Sequence, residues 1–420
     1  GICLDNSITS GSGAKTLTYN GTITTTNGQG IYVNTGNTLT TGMTTFNVNG
    51  TTGIGVYIAS GATAYIGQTT TTTFNLNDGT AIHNAGGTLN LGANVAITGS
   101  GSLVGTTDGD IISEANFTVG ARATGLLGKY SNATTVDKYI RNRGTITVQS
   151  DGIGIAAIKA STSPTGNITI TNDTNGKLYV SGKNGDDSSI GMYTDIAKVE
   201  NKGYIEVGTD GVGIFIEDSG KDITSTTIDM TGANGVAVYA EKNVGDVILD
   251  GITSTSSKNI GVILNNISLG NISLGNISLG NESVGVMVGD GQAQIAPTGT
   301  NISVGDSSAD KSAIGVMAKK SNMDFVNMGN IIAGVKGIGV YAYDNAIVSN
   351  IDLNKITVGA GGTALYSVGS TLTNVSGTIG ANNKIGISIK GGRITGNITD
   401  ATVSNGGTGL YLDSTNNGGL

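Results

Sequence analysis

His83 is the only histidine in this 420-residue chain, so any acid–base or nucleophilic triad would have to recruit it. Asp218-Ser219-Gly220 and Gly305-Asp306-Ser307 look like fragments of serine-hydrolase motifs. Triplets that short arise by chance. Cys3 is the single cysteine, which excludes an internal disulfide, and no Cys/His grouping has zinc-ligand spacing. The Gly-Gly-x-Gly-x-Asp array that binds calcium is missing too. The chain is therefore expected to hold no catalytic residue, no metal and no cofactor, and not to be an enzyme. One chemically capable residue type does recur at regular spacing, the aromatic series Tyr32, Tyr57, Tyr193, Phe215, Tyr239, Tyr341, Tyr366 and Tyr411. Two readings stand for it. Each ring covers the bare backbone of a neighbouring glycine, or the rings form a binding strip for a sugar or a partner surface.

Those rings belong to a motif that must be read first, because it repeats. Gly337-Ile338-Gly339-Val340-Tyr341-Ala342 returns as Ile54-Gly55-Val56-Tyr57, Val212-Gly213-Ile214-Phe215, Val236-Ala237-Val238-Tyr239 and Ile314-Gly315-Val316-Met317, among others. Measured on the small central residue, the steps 191→213→237→261→285 are 22, 24, 24 and 24 residues. A fixed period in the twenties marks a stacked repeat. Helical periodicity is absent. Short alternating runs such as Thr145-Ile146-Thr147-Val148, bounded by Gly and Asn, read as strands. The pattern predicts an all-β, right-handed parallel β-helix of about 22–26 residues per coil, with two or three strands in each. Residues 1–420 are expected to form a single rod of about 17 coils, roughly 80 Å long at the usual strand spacing.

Composition agrees. The 70 glycines could suggest disorder, but the chain is only 12% charged and rich in Ile, Val and Thr, so glycine reads as turn punctuation. A net charge of −8 disfavours nucleic acid. The one basic cluster, Arg122, Lys129, Lys138, Arg141 and Arg143, reads as a solvated face. No 18-residue apolar run appears and no signal peptide is visible. Alternation puts Ile338, Val340 and Ala342 on the inward face and Gly339 and Tyr341 on the outward one, since equivalent outward positions end in Glu217, Glu241 and Lys319. His83 falls at the Tyr position of its own repeat.

Four local features complete the reading. Pro164 and Pro297 lie in the longest steps, so loops are expected to leave the coil near 157–189 and 289–312. Residues 266–285 carry an inner five-residue repeat, Asn-Ile-Ser-Leu-Gly, whose Gly-Asn junctions suit corners. Its Asn-x-Ser pattern reads as coincidence rather than a glycosylation acceptor. The Thr-rich runs near 22–26, 38–45 and 69–73 would suit an ice-binding ladder, but their spacing is irregular. From 99 to 144 the register is least legible, with Asp110-Ile111-Ile112 and Gly125-Leu126-Leu127 as weak copies.

Taken together, these motifs resemble the passenger region of Gram-negative type V autotransporters, most closely the very large fusobacterial autotransporter adhesins. The resemblance spans roughly residues 20 to 415. It implies a monomeric rod on the bacterial cell surface that attaches to a host-cell surface protein or glycan, or to partner bacteria. It also implies a longer parent chain with an outer-membrane translocator barrel, of which this sequence is a fragment. It transfers no catalytic residue. Sugar-cleaving β-helix enzymes carry clustered Asp residues and a Gly-His-Gly segment, whereas here the histidine sits in Ile82-His83-Asn84. Three functions stay open: an adhesive segment, a glycan-processing β-helix enzyme, and a passive spacer for a distal tip.

Overall fold

In the computed structural model, residues 1–4, 14–120, 123–160, 162–242, 244–267, 272–290, 294–295, 299–326, 328–382 and 384–413 are described. Arg122, Pro297, residues 268–271 of the inner repeat and the final residues 414–420 lie outside them. The protein is all-β, with parallel strands stacked as a β-solenoid of about 15 turns. One 3-10 turn, Leu353–Lys355, is the only named helical element among the described residues. The chain divides into two compact units, Gly1–Glu206 and Val207–Leu420.

In the first unit, three strands make a turn. Lys138–Asn142, Thr145–Gln149 and Ile153–Lys159 stack in register on Ile168–Asn172, Lys177–Ser181 and Ile190–Thr194. Alternation works as expected on a plain strand: Ile146 and Val148 of Thr145–Gln149 are buried and the threonines between them half-buried. Like residues fall on like. Phe46 and Phe74 are fully buried and stack at 4.7 Å between ring centroids, 7° from parallel. At one corner a polar ladder runs inside the coil. Asn142 donates from Nδ2 to Asn172 Oδ1 at 2.9 Å, and Asn172 donates to Asn201 Oδ1 at 2.9 Å. A buried amide is tolerated because its donors and acceptor are satisfied by the amides above and below.

In the second unit the period is most regular. Val212 pairs with Val236 and Val236 with Ile260, steps of 24 residues. Val316, Val340, Leu365 and Ile387 are successive partners, each at most 1% exposed. Such a ladder removes apolar surface from water along the whole stack. The inner repeat is seen through Ile272–Leu279. Ile272 and Leu274 point inward, Gly275 and Asn276 break the alternation, and Ile277 and Leu279 point inward again. Gly-Asn is therefore a bend between two sides of one coil.

The motif strand departs from simple alternation. In Ile338–Tyr343 the half-buried and buried positions run Ile338 half, Gly339 and Val340 buried, Tyr341 half, Ala342 buried, Tyr343 half. The same pattern opens Ile54–Ile58, Ile190–Thr194, Val212–Glu217, Val236–Glu241 and Ile260–Asn265. Two consecutive residues face inward, so the strand bends at the small residue. This corrects the expected faces: Gly339 belongs inside, and Ile338 sits on the flank rather than in the core. The reason is close approach. A Cβ on Gly339 would lie 2.6 Å from the Ala364 carbonyl oxygen in the next coil, and on Gly213 2.6 Å from that of Ala237. Glycine serves here for space, not for a left-handed φ. Alanine takes the same buried place in other copies, as Ala81 and Ala237.

The interval 157–189 is mostly regular coil. It holds strands Ile168–Asn172 and Lys177–Ser181, and the excursion narrows to an antiparallel pair, Lys183–Asn184 with Asp187–Ser188. The segment around Pro164 forms no strand. Between 99 and 144, Gly125-Leu126-Leu127 is a true motif copy, pairing with Ile155 and Ala156. Asp110–Ser113 is not, because it belongs to the coil side that pairs with Thr88–Leu91 and Lys138–Asn142.

Candidate functional site

The bend after the small residue aims the next-but-one side chain outward, as at Tyr57, Tyr239 and Tyr341, and strand pairing brings the equivalent positions of successive coils into register. In the first unit the in-register series reads Cys3, Tyr32, Tyr57, His83, Gly105, Leu127, Ala156 and Tyr193. In the second it reads Phe215, Tyr239, Ile263, Met287, Met317, Tyr341, Tyr366, Ser388 and Tyr411. All eight aromatic residues singled out from the sequence lie in these two columns.

Strand spacing turns neighbours into stacks. Tyr32 and Tyr57 are 5.1 Å apart and 12° from parallel, and His83 follows Tyr57 at 5.2 Å with its ring tilted by 31°. Phe215 and Tyr239 stack at 4.8 Å. Tyr341 stacks on Tyr366 at 5.2 Å and on Tyr343 at 4.9 Å, and Lys390 Nζ sits 5.8 Å from the Tyr366 ring centre. Each ring pair contributes about 0.5–1.5 kcal/mol beyond burial. Because the glycines face inward, the rings cover one another and not bare glycine backbone. Tyr411 is 45% exposed.

The electrostatics follow from this half-burial. Burial raises the Tyr341 phenol above its ordinary range, reinforced by Tyr366 and Tyr343. Burial raises Tyr239 too, with Glu241 beside it. Lys390 is held protonated by its hydrogen bond with Tyr366. His83 is pushed the other way: burial disfavours its cation, and the Lys129 ammonium adds to the effect.

The rest of the chemistry is thinly spread. Among the described residues, no three His, Cys, Asp or Glu side chains gather as a metal group would. The basic cluster is dispersed into local pairs. Lys138 meets Asp110 at 3.3 Å, Arg143 meets Asp173 at 3.1 Å, and Arg141 lies over the Tyr139 ring at 4.8 Å. No described helix is long and apolar enough to cross a membrane.

Sequence reasoning missed two members of this surface. Tyr343 extends the Tyr341 stack sideways, and the Tyr-Ala-Tyr alternation could have shown it. Gly105 occupies a ring position, in a cleft of about 430 Å³ beside His83 and Leu127. Its copy reads Leu103-Val104-Gly105, with Leu103 where the others carry Gly or Ala, so it escapes a search for the small residue. No family model matches the chain, and no curated protein or solved structure is significantly similar to it.

Proposed function

We propose that this chain is a non-enzymatic segment of a bacterial surface adhesin, attaching to host cells or partner bacteria through its outward aromatic columns. The observation that carries the reading is the Tyr341, Tyr343 and Tyr366 stack with Lys390 beside it. Preordered rings lose little entropy on contact and offer apolar edges together with hydroxyls, the mix favoured at interface hot spots. The parent chain would carry an outer-membrane translocator barrel, and the segment would act as a monomer at the cell surface. One observation favours a passive spacer instead: the rings cover each other's faces and leave mainly edges to a partner.

Binding of the purified chain to epithelial cells and to partner bacteria tests the proposal, with monosaccharides and amino acids as competitors. The adhesive reading expects saturable binding that Tyr341→Ser/Tyr366→Ser loses while keeping its β-sheet circular dichroism. Absence of binding at micromolar protein makes the segment a spacer.

A further inference from the structure

The first-unit column has a missing rung. His83, Gly105 and Leu127 are successive partners in the stack, and Gly105 contributes no side chain between them. A Cβ built on Gly105 meets nothing within 4 Å, unlike the crowded small-residue positions of the motif. The vacancy opens into the cleft of about 430 Å³, lined also by Thr80, Thr107, Thr124 and Lys129.

The vacancy has the dimensions of one flat ring. Two strand spacings separate the His83 and Leu127 rungs, about 9.6 Å. Rings already present in this column sit 5.1 and 5.2 Å apart. A ring placed at Gly105 would thus lie one rung from His83 and one from Leu127, extending a stack that runs Tyr32, Tyr57, His83. The imidazole turns one side toward Tyr57, tilted 31° from that ring, leaving the other side toward the vacancy. The flanks are polar. Thr80 and Thr124 precede the slot on the coils to either side, and Thr107 follows Gly105 on its own coil. Lys129, in register with Thr107, is exposed at the mouth. Among the described residues no carboxylate forms an ion pair with it, whereas Lys138 and Arg143 nearby are both paired.

We propose that the missing rung at Gly105 is a binding slot for a planar aromatic carboxylate, its ring stacked on His83 and its carboxylate on the Lys129 ammonium. A stacking wall, an aliphatic wall, hydroxyl flanks and one unopposed cation select that combination. Two sources supply the chemistry: a free aromatic acid, or the carboxy-terminal aromatic residue of a peptide. The inference stands apart from the adhesive reading of the columns.

The test uses the full chain and 4-hydroxybenzoate, read by NMR at the imidazole of His83, the sole histidine. Saturable ring-current shifts of the His83 signals are expected. Lys129→Gln should weaken binding about tenfold, the value of one charge-assisted hydrogen bond. Gly105→Tyr should abolish it by filling the slot with the chain's own ring. If that variant does not fold, the wild-type titration and the surface variant Lys129→Gln still decide. Peptides ending in a free or amidated phenylalanine separate the two sources, and binding of the free form tighter than hydroxybenzoate assigns the slot to peptide ends. An unchanged His83 spectrum at millimolar 4-hydroxybenzoate overturns the proposal. So does equal binding by Gly105→Tyr, or a preference for glucuronate over the aromatic acid.

Discussion

Gly339 backs onto Ala364 so closely that a β-carbon on the glycine would stand 2.6 Å from the alanine's carbonyl oxygen. This contact, repeated coil after coil, makes the motif strand bend and sends Tyr341 outward. Gly339→Val should therefore destabilise the second unit by about 1–3 kcal/mol, the usual cost of overpacking. Ile338→Asp, on the flank, should cost less than Val340→Asp, which places an unpaired charge where the wild-type residue is 1% exposed. Urea unfolding of the three variants gives the order. Equal losses for Ile338→Asp and Val340→Asp would restore simple alternation and remove the bend.

The Asn142, Asn172, Asn201 ladder supports one corner of the first unit by amide-to-amide bonds of 2.9 Å. Asn172 is fully buried and also donates to the Tyr204 carbonyl. Asn172→Ala would orphan partners on both neighbouring coils, and a loss of about 1–3 kcal/mol is expected. Asn172→Asp should be worse at neutral pH, since a carboxylate cannot donate to Asn201. Hydrogen exchange of residues 138–205 reads the effect. Protection unchanged in Asn172→Ala would mean that water replaces the amide without cost.

His83 gives the first unit an acid-sensitive step. Burial and Lys129 lower its pKa below the ordinary 6.5, so the unfolded chain takes up the proton first. Above pH 6.5 both states are neutral and the stability is fully present. As pH falls from 6.5 toward the depressed folded value, the unfolded state gains protons that the folded state refuses, and stability declines. His83→Gln should flatten that limb between about pH 7 and 5. Direct titration of the single imidazole by NMR must give a midpoint below 6.5; a midpoint above it reverses the sign.

Much of the fold is legible because a solenoid writes its period into the chain. Steps of 24 residues fall on Val212, Val236 and Ile260, and strand pairing joins those residues. The aromatic columns follow from the same count. What the sequence hides is direction. Alternation puts Gly339 beside Tyr341 on one face, and only the approach of the next coil's carbonyl shows the glycine turned inward. The slot at Gly105 was hidden for a different reason. Its copy carries Leu103 in place of a small residue, and a side chain's absence has no motif. Tyr343 needed no bend, since plain alternation through buried Ala342 already puts it on the same side as Tyr341.

The corner after the motif strand separates backbone from charge. Lys320 adopts a left-handed φ of 45°, which turns its N–H toward the Tyr343 carbonyl at 3.4 Å in the next coil. The same corner holds Lys242 at φ 61° and Asn266 at φ 53°. Lys320 also lies 3.8 Å from Asp290 and 3.6 Å from Asp344 in an exposed charge ladder. Exposed pairs of this kind contribute about 0–1 kcal/mol. A side chain with a Cβ at left-handed φ costs about 1 kcal/mol, a strain that glycine relieves while losing more entropy on folding. Lys320→Gly should thus stay within about 0.5 kcal/mol of the wild type, the two terms offsetting. Lys320→Val, which removes the same charge but adds a β-branch at a left-handed φ, should lose about 1–2 kcal/mol. Urea unfolding at low and high salt measures both. If the glycine variant falls as far as the valine variant, and salt weakens the wild type to match, the corner is held by its charges and not by its backbone.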